Sequence, residues 1–195
     1  MKNRTPFRSA CLAAAIALGG FAIVGCTTTP PNAQGAPRAD KTSMDSQVDA
    51  TLARLYNVVP GSREMVQKAA GVLVFPSVVG GSFVVGAEYG RGALRVGGRT
   101  TDYYSTTAGS IGFQAGGQSK AIVYVFNSTE ALNKFRASNG WSAGADATVT
   151  MGRVGANGSV DTQTIQQPVT SFVLTNVGLE VGVSVQGAKI NKVTL

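Results

Sequence analysis

The chain has almost none of the thiol and imidazole groups that serve in proteins as nucleophiles, general bases and strong metal ligands. Its 195 residues include two cysteines, Cys11 and Cys26, and no histidine. Without imidazole, a Ser-His-Asp arrangement, a Cys-His pair and a histidine zinc site are all excluded. Both thiols lie near the N-terminus, so the rest of the chain has no thiolate for a disulfide or a metal site. The sequence therefore predicts a protein that is not an enzyme and that carries no cofactor.

Cys26 follows a segment with the features of a bacterial export signal. Three basic residues precede an apolar run from Ala10 to Val24, which is too short to span a bilayer well. Residues 23–25 are Ile-Val-Gly and resemble the lipobox of bacterial lipoproteins, in which the cysteine thiol accepts diacylglycerol and a small preceding residue permits cleavage. We therefore predict a lipoprotein signal peptide over residues 1–25 and acylation of Cys26. An ordinary secretory signal with an incidental cysteine is the alternative.

Residues 26–43 are rich in Thr, Pro, Gly and Ala and show no apolar periodicity. This composition predicts a lipidated, flexible tether between the membrane and a single domain over residues 44–195. Thr27 stands where aspartate would signal retention at the inner membrane, so we expect a lipid-anchored protein of the cell envelope at the outer membrane.

The charge balance favours a membrane partner over nucleic acid. The whole chain has 17 basic and 10 acidic residues. Three of the basic residues lie in the predicted leader, so the mature chain would carry 14 basic against 10 acidic residues, a net charge of +4. A mildly basic domain suits anionic lipid or another acidic surface, whereas nucleic-acid binders have denser basic patches.

Two groups of basic side chains are candidate binding sites for lipid headgroups. Arg91, Arg95 and Arg99 share strand parity if one strand continues through them. A turn at Gly97-Gly98 is equally consistent with the sequence and would still gather the three at one end of the sheet. Guanidinium groups bind phosphate through two parallel hydrogen bonds. Three solvated arginines are the alternative. The second group, on and beside an amphipathic N-terminal helix, could lie on a membrane surface, although helices with such spacing usually pack on their own sheet. Its basic residues are Arg54, Arg63 and Lys68.

A five-residue theme with a leading glycine and a polar centre recurs four times, and its polar centres are Glu88, Gln114, Asp146 and Glu180. If these residues converge in a sheet, their oxygens could hold calcium or magnesium. A solvated or hydrogen-bonded polar strip is the favoured alternative, so we predict no metal. Because alternate strand residues share a face, the neighbouring residues, including Ala87, Tyr89 and Val177, are expected in the core.

Periodicity predicts three helices and several strands. The helices run from Asp45, as the cap, to Pro60, from Ser62 to Ala70 and, capped by Ser128, from Thr129 to Ser138. The expected strands include one closed by Pro76 and one over Val160–Ile165, and Asn157-Gly158 fits a hairpin turn. Trp141 is expected as a core residue, with an interfacial anchor as the alternative. Short connections and abundant glycine predict an α+β fold, in which about three helices cover a strongly curved or barrel-like antiparallel sheet.

Four segments, taken in order, resemble the bacterial SYLF-domain lipoproteins over nearly the whole predicted domain. They are GVLVFPSVVGGSFVVGAEYGRGAL, YYSTTAGSIGFQAGGQSK, FRASNGWSAGADATV and SFVLTNVGLEVGVSVQG.

The resemblance implies a lipid-binding module, because eukaryotic SYLF domains bind phosphoinositides and phosphatidic acid. It does not extend to actin binding, since this chain lacks the SH3 module of the fungal relatives. We thus expect a domain that binds phospholipid headgroups. The alternative is a structural or protein-interaction lipoprotein of the envelope.

Overall fold

The computed structural model describes residues 36–82, 85–111, 118–155, 159–180 and 184–195. The predicted signal peptide with Cys26, Gln114 and the Asn157-Gly158 pair lie outside these residues. The helices are α1 (Ala36–Val58), α2 (Ser62–Lys68), α3 (Thr129–Ala137) and α4 (Thr162–Ile165). The strands are β1 (Gly71–Ser82), β2 (Val85–Val96), β3 (Arg99–Ile111), β4 (Gln118–Phe126), β5 (Trp141–Ser142), β6 (Val149–Met151), β7 (Val169–Thr175), β8 (Gly178–Glu180) and β9 (Lys189–Val193).

These strands form one strongly curled, half-barrel sheet with the order β5-β9-β3-β2-β1-β4-β7-β6, and β8 also pairs with β7. Neighbouring strands are antiparallel except β6 and β7, which run parallel. The predicted fold class, α+β with a strongly curved antiparallel sheet and a few covering helices, is confirmed. None of the helices in the described part of the chain combines the length and the hydropathy needed to span a bilayer.

Alternating side chains divide the apolar core between the two sides of the sheet. On the side that we call the helical face, Val48 and Leu55 of α1 pack against strand residues such as Val74 and Val123. On the opposite side, the aromatic face, Trp141 is 2% exposed and makes edge-to-face contacts with rings of β4 and α3. Trp141 is therefore a core residue, as expected from the sequence.

Strand β1 does not end at Pro76, in contrast to the prediction. It continues to Ser82, and its pairing with β2 shifts in register between Val74 and Ser77. Such a bulge leaves Pro76 out of the ladder, so its missing N–H costs no inter-strand hydrogen bond. Gly92 of β2 faces this bulge, and a Cβ at Gly92 would lie 2.1 Å from the carbonyl oxygen of Val74. The bulge thus requires glycine on the neighbouring strand.

Helix α1 begins at Ala36, nine residues before the predicted start, so the expected tether overlaps the helix over residues 36–43. Polar contacts with the sheet accompany this extension. The ammonium of Lys41 lies 5.9 Å from the centroid of the Tyr103 ring, and Asp45 accepts a hydrogen bond of 2.8 Å from Thr100. Asp45 is therefore an interior helical residue that contacts the sheet, and the prediction of Asp45 as the helix cap is wrong.

Helices α3 and α4 follow local capping signals. Ser128 caps α3 as predicted, because its hydroxyl accepts a hydrogen bond from the backbone N–H of Ala131. The strand predicted over Val160–Ile165 is wrong, since residues 162–165 form α4. The side chain of Asp161 accepts from the N–H of Gln163 and begins this helix.

Candidate functional site

The structure separates the three arginines that strand parity had grouped. Arg91 and Arg95 lie on the helical face of β2, whereas Arg99 follows the Gly97-Gly98 turn and begins β3. Arg99 pairs with Val96, five residues beyond Arg91, which is about 17 Å along the strand. Arg91 and Arg99 therefore cannot bind one headgroup phosphate together.

Arg95 is used within the fold. Its guanidinium forms an ion pair with Asp49 of α1 and donates a second hydrogen bond, 3.1 Å long, to the backbone carbonyl of Asp45. The Arg95 side chain is only 15% exposed. Because helix α1 covers this group, Arg95 holds the helix on the sheet and is not presented to an external ligand.

Arg91 is the exposed arginine of the strand. Its Nε donates a hydrogen bond of 3.1 Å to the hydroxyl of Tyr89, two residues earlier on the same face. Within the described part of the chain, the terminal guanidinium nitrogens of Arg91 make no hydrogen bond or ion pair. This geometry orients the guanidinium while leaving its fork open for two parallel hydrogen bonds to a phosphate.

Apolar and aromatic surface lies beside Arg91. Val79 of β1 pairs directly with Tyr89, and Ser77 pairs with Arg91, so their side chains share the helical face. Val79 is 53% exposed and Tyr89 is 48% exposed. We call Val79, Tyr89 and Arg91 the exposed patch.

The exposed patch corrects the predicted orientation of β2. Ala87 and Tyr89 were expected in the core, yet both are exposed. The face with Glu88, Gly90 and Gly92 carries the aromatic core instead, because backbone and bulky side chains of β1 approach these glycines closely. A Cβ at Gly90 would lie 2.8 Å from the carbonyl oxygen of Ser77. Gly90 thus marks a position of close packing, whereas its neighbours Tyr89 and Arg91 are exposed.

Val177 was also expected in the core, but it is 99% exposed at the turn between β7 and β8. The flanking residues could have predicted this position, since Asn176 and Gly178 are typical turn residues. Gly178 has φ 133°, which L side chains rarely adopt.

The other predicted basic residues lie on α1 and α2. Arg63 stacks over the Tyr56 ring at 4.5 Å from its centroid, and Lys68 lines a cleft of about 300 Å³ together with Glu64. Arg54 is half-buried on α1. The apolar side of α1 packs on its own sheet. This packing was the alternative to membrane contact that the sequence had left open.

The described carboxylates of the repeated theme each have a separate environment. Glu88 forms a 2.9 Å ion pair with Lys120, Asp146 accepts from the N–H of Ser142 at 2.6 Å, and Glu180 pairs across the sheet with Val173. No three histidine, cysteine, aspartate or glutamate side chains in the described ranges are arranged to hold a metal ion. The structure therefore does not bring Glu88, Asp146 and Glu180 together as a cation site.

Comparison with known proteins identifies part of the chain. No curated protein matches it. Residues 107–194 match the model of the family Ysc84, described as "Las17-binding protein actin regulator". The matched segment runs from the second half of β3 past the end of β9, and it includes Trp141, most of the other core residues on the aromatic face, and the Val177 turn. The resemblance is thus confirmed for this segment, since residues 107–194 are similar to the Ysc84 family, that of the SYLF domain.

Proposed function

We propose that this protein is an exported lipoprotein whose domain binds anionic phospholipid headgroups at the cell envelope, with Arg91 as the central contact. The acyl chains on Cys26 would keep the domain at the outer membrane, and the exposed patch would bind phosphate groups of the phosphatidic-acid or phosphoinositide type. The proposed role is binding, without catalysis and without a cofactor. A domain of the Ysc84 family is consistent with lipid binding or with an actin-related role.

The exposed guanidinium of Arg91 is the observation that carries this proposal. A rigid strand supplies its backbone, and the 3.1 Å hydrogen bond to Tyr89 fixes its Nε. Preorganisation of this kind lowers the entropy that is lost when two further hydrogen bonds to a phosphate form. Arg95, by contrast, is neutralised by Asp49.

The neighbours of Arg91 suit a bilayer interface. Tyr89 presents a ring with a polar tip, and such residues prefer the boundary between headgroups and water. Val79 adds apolar surface beside it. Salt-dependent attraction by Arg91 together with apolar contact is the combination that peripheral membrane proteins use.

The same patch also supports a second function of a different class. Tyrosine and arginine are enriched at the centres of protein interfaces, so an envelope lipoprotein could use Val79, Tyr89 and Arg91 to bind another protein. We favour lipid because the open fork of Arg91 matches a phosphate, and because the mature chain is basic.

Vesicle flotation tests the headgroup proposal. A chain of residues 27–195, with its fold checked by circular dichroism, is mixed at low salt with phosphatidylcholine vesicles, with and without phosphatidic acid. We expect retention by the anionic vesicles alone. Arg91→Ala should weaken retention about tenfold, the value expected for lost charge-assisted hydrogen bonds, whereas Arg99→Ala, an exposed arginine about 17 Å away, serves as the matched control.

Equal retention by neutral and anionic vesicles would overturn the headgroup proposal, and so would equal losses for Arg91→Ala and Arg99→Ala. The tether is tested separately. Mass spectrometry of the protein from its native host should show residue 26 as the acylated N-terminus. An unmodified Cys26 would remove the lipoprotein part of the proposal and leave the vesicle result standing.

A further inference from the structure

The turn between β7 and β8 presents an apolar side chain fully to solvent. Val177 is 99% exposed, although Leu174 in the preceding strand is fully buried. The turn is closed by β pairing between Thr175 and Gly178, and the Thr175 hydroxyl lies 3.5 Å from the carbonyl oxygen of Gly178. The backbone therefore holds Val177 outward.

Strand register places this turn at the same end of the sheet as the exposed patch. Leu174 pairs with Ala121 of β4, and Val79 of β1 pairs with Ser119, two residues nearer the beginning of β4. Continuing the β7 register by two residues brings Asn176 level with Ser119. The Val177 turn and Val79 are thus separated by two strand spacings, about 10 Å.

A single exposed valine is unremarkable, because much of any protein surface is apolar. Here, however, three of the six large hydrophobic residues exposed in the described part of the chain lie at this end of the sheet, and Arg91 is beside them. These three are Val79, Tyr89 and Val177. At a bilayer surface, acyl chains begin just below the phosphates. An apolar turn beside a side chain that can bind phosphate matches this arrangement.

We infer that the Val177 turn inserts into the upper acyl region of the bilayer while Arg91 contacts the phosphates above it. This inference rests on the proposed function and adds a second, apolar contact site to it. Burial of a valine side chain stabilises binding through the hydrophobic effect, which salt does not screen. Membrane contact through Val177 should therefore persist at a salt concentration that weakens the contact through Arg91.

A fluorescent label tests this insertion in the full chain. Cys11→Ala and Cys26→Ala remove the native thiols, Val177→Cys introduces one for an environment-sensitive dye, and the uncleaved leader holds the protein in vesicles of phosphatidylcholine and phosphatidic acid. We expect a blue-shifted emission that is quenched by lipids brominated near the headgroup and that remains in high salt. The same dye at Asn133→Cys, on exposed α3 at the opposite end of the sheet, should emit as in water.

The emission of Trp141, which is buried in the folded domain, reports whether each labelled chain is folded. A dye at residue 177 that emits as in water would overturn the inference, and so would equal quenching at residues 133 and 177. If flotation nevertheless depends on Arg91, the proposed function survives and only the insertion fails. If flotation shows no preference for anionic vesicles, the proposed function fails as well.

Discussion

Arg95 of β2 forms an ion pair with Asp49 of α1, whereas Arg91, four residues earlier on the same face, is exposed. Two identical side chains on one strand thus have different roles. Arg95 attaches a helix to the sheet, and Arg91 is exposed and is the proposed phosphate contact.

Substitution of Arg95 should therefore lower stability, whereas substitution of Arg91 should weaken membrane binding. Arg95→Met should lower the free energy of unfolding by about 1–2 kcal/mol, because it removes two hydrogen bonds from a largely covered guanidinium. Arg91→Met should leave the unfolding free energy within about 0.5 kcal/mol of the parent while weakening retention by anionic vesicles. Urea denaturation and flotation of the same two variants check both statements. Equal destabilisation by the two changes would contradict the distinction.

Asp40 should oppose membrane binding. The hydrogen bond with Tyr89 and, more weakly, the negative charge of Asp40 raise the pKa of the Arg91 guanidinium. The same carboxylate would repel a phosphate that approaches Arg91. We expect Asp40→Asn to strengthen retention by anionic vesicles at low salt and to have no effect on neutral ones. The control is Glu64→Gln, which removes an exposed carboxylate on α2. Asp161→Asn would not serve, because Asp161 caps α4. A similar gain from Glu64→Gln would point to net charge alone.

Gly92 should not tolerate a side chain. A Cβ there would lie 2.1 Å from the carbonyl oxygen of Val74 and 2.7 Å from the Phe75 ring, so the bulge of β1 would have to move. We expect Gly92→Ala to destabilise the domain by about 3 kcal/mol. Gly109→Ala is the matched control, since an added Cβ on that strand glycine has no neighbour within 4 Å. Thermal unfolding of both variants tests this prediction, and equal melting temperatures would refute the assigned bulge geometry.

Asp102 should make stability dependent on acid. Burial raises the pKa of this carboxyl, but hydrogen bonds from Lys192 and Thr101 and the charges of Lys192 and Arg136 outweigh burial, so its pKa is lowered from 3.8. A lowered folded-state pKa contributes stability above the unfolded pKa, and this contribution is lost as the pH falls through the folded value.

Asp102→Asn should therefore cost about 1 kcal/mol at pH 7 and less at pH 3, as measured by urea denaturation at both pH values. Glu130→Gln is the control, because Glu130 and Lys134 form a 2.8 Å ion pair with both side chains more than two-thirds exposed, where such pairs contribute little. A cost for Asp102→Asn that is independent of pH would contradict the assigned ionisation.

The predictable parts of the fold are those specified by local chemistry. Ser128 and the apolar spacing of α3 are adjacent in sequence, and the buried alternation of β4 is continuous. The first turns of α1 could not be predicted, because Lys41 and Asp45 contact β3 residues that are more than 50 positions away. Asp161 is a capping residue from which α4 could have been predicted, but the apolar spacing of residues 160–165 favoured a strand.

The sequence indicated the type of residue in the candidate site, arginine, but not which of the arginines are exposed. Residue type indicated Arg91, Arg95 and Arg99 as candidate phosphate ligands, yet only the placement of α1 determines which one is covered. The orientation of β2 depends on how closely β1 approaches Gly90 and Gly92, a distance that strand parity cannot supply. Tyr89 was therefore assigned to the wrong side.

The polar attachment of α1 has a mechanical consequence. Tension that reaches Ala36 along the backbone is applied first to the contacts of Lys41 and Asp45, before Val48 and Leu55 in the apolar core are loaded. Ion pairs and hydrogen bonds break and reform readily in water, so the beginning of the helix can yield and recover under a pull while the sheet keeps its shape.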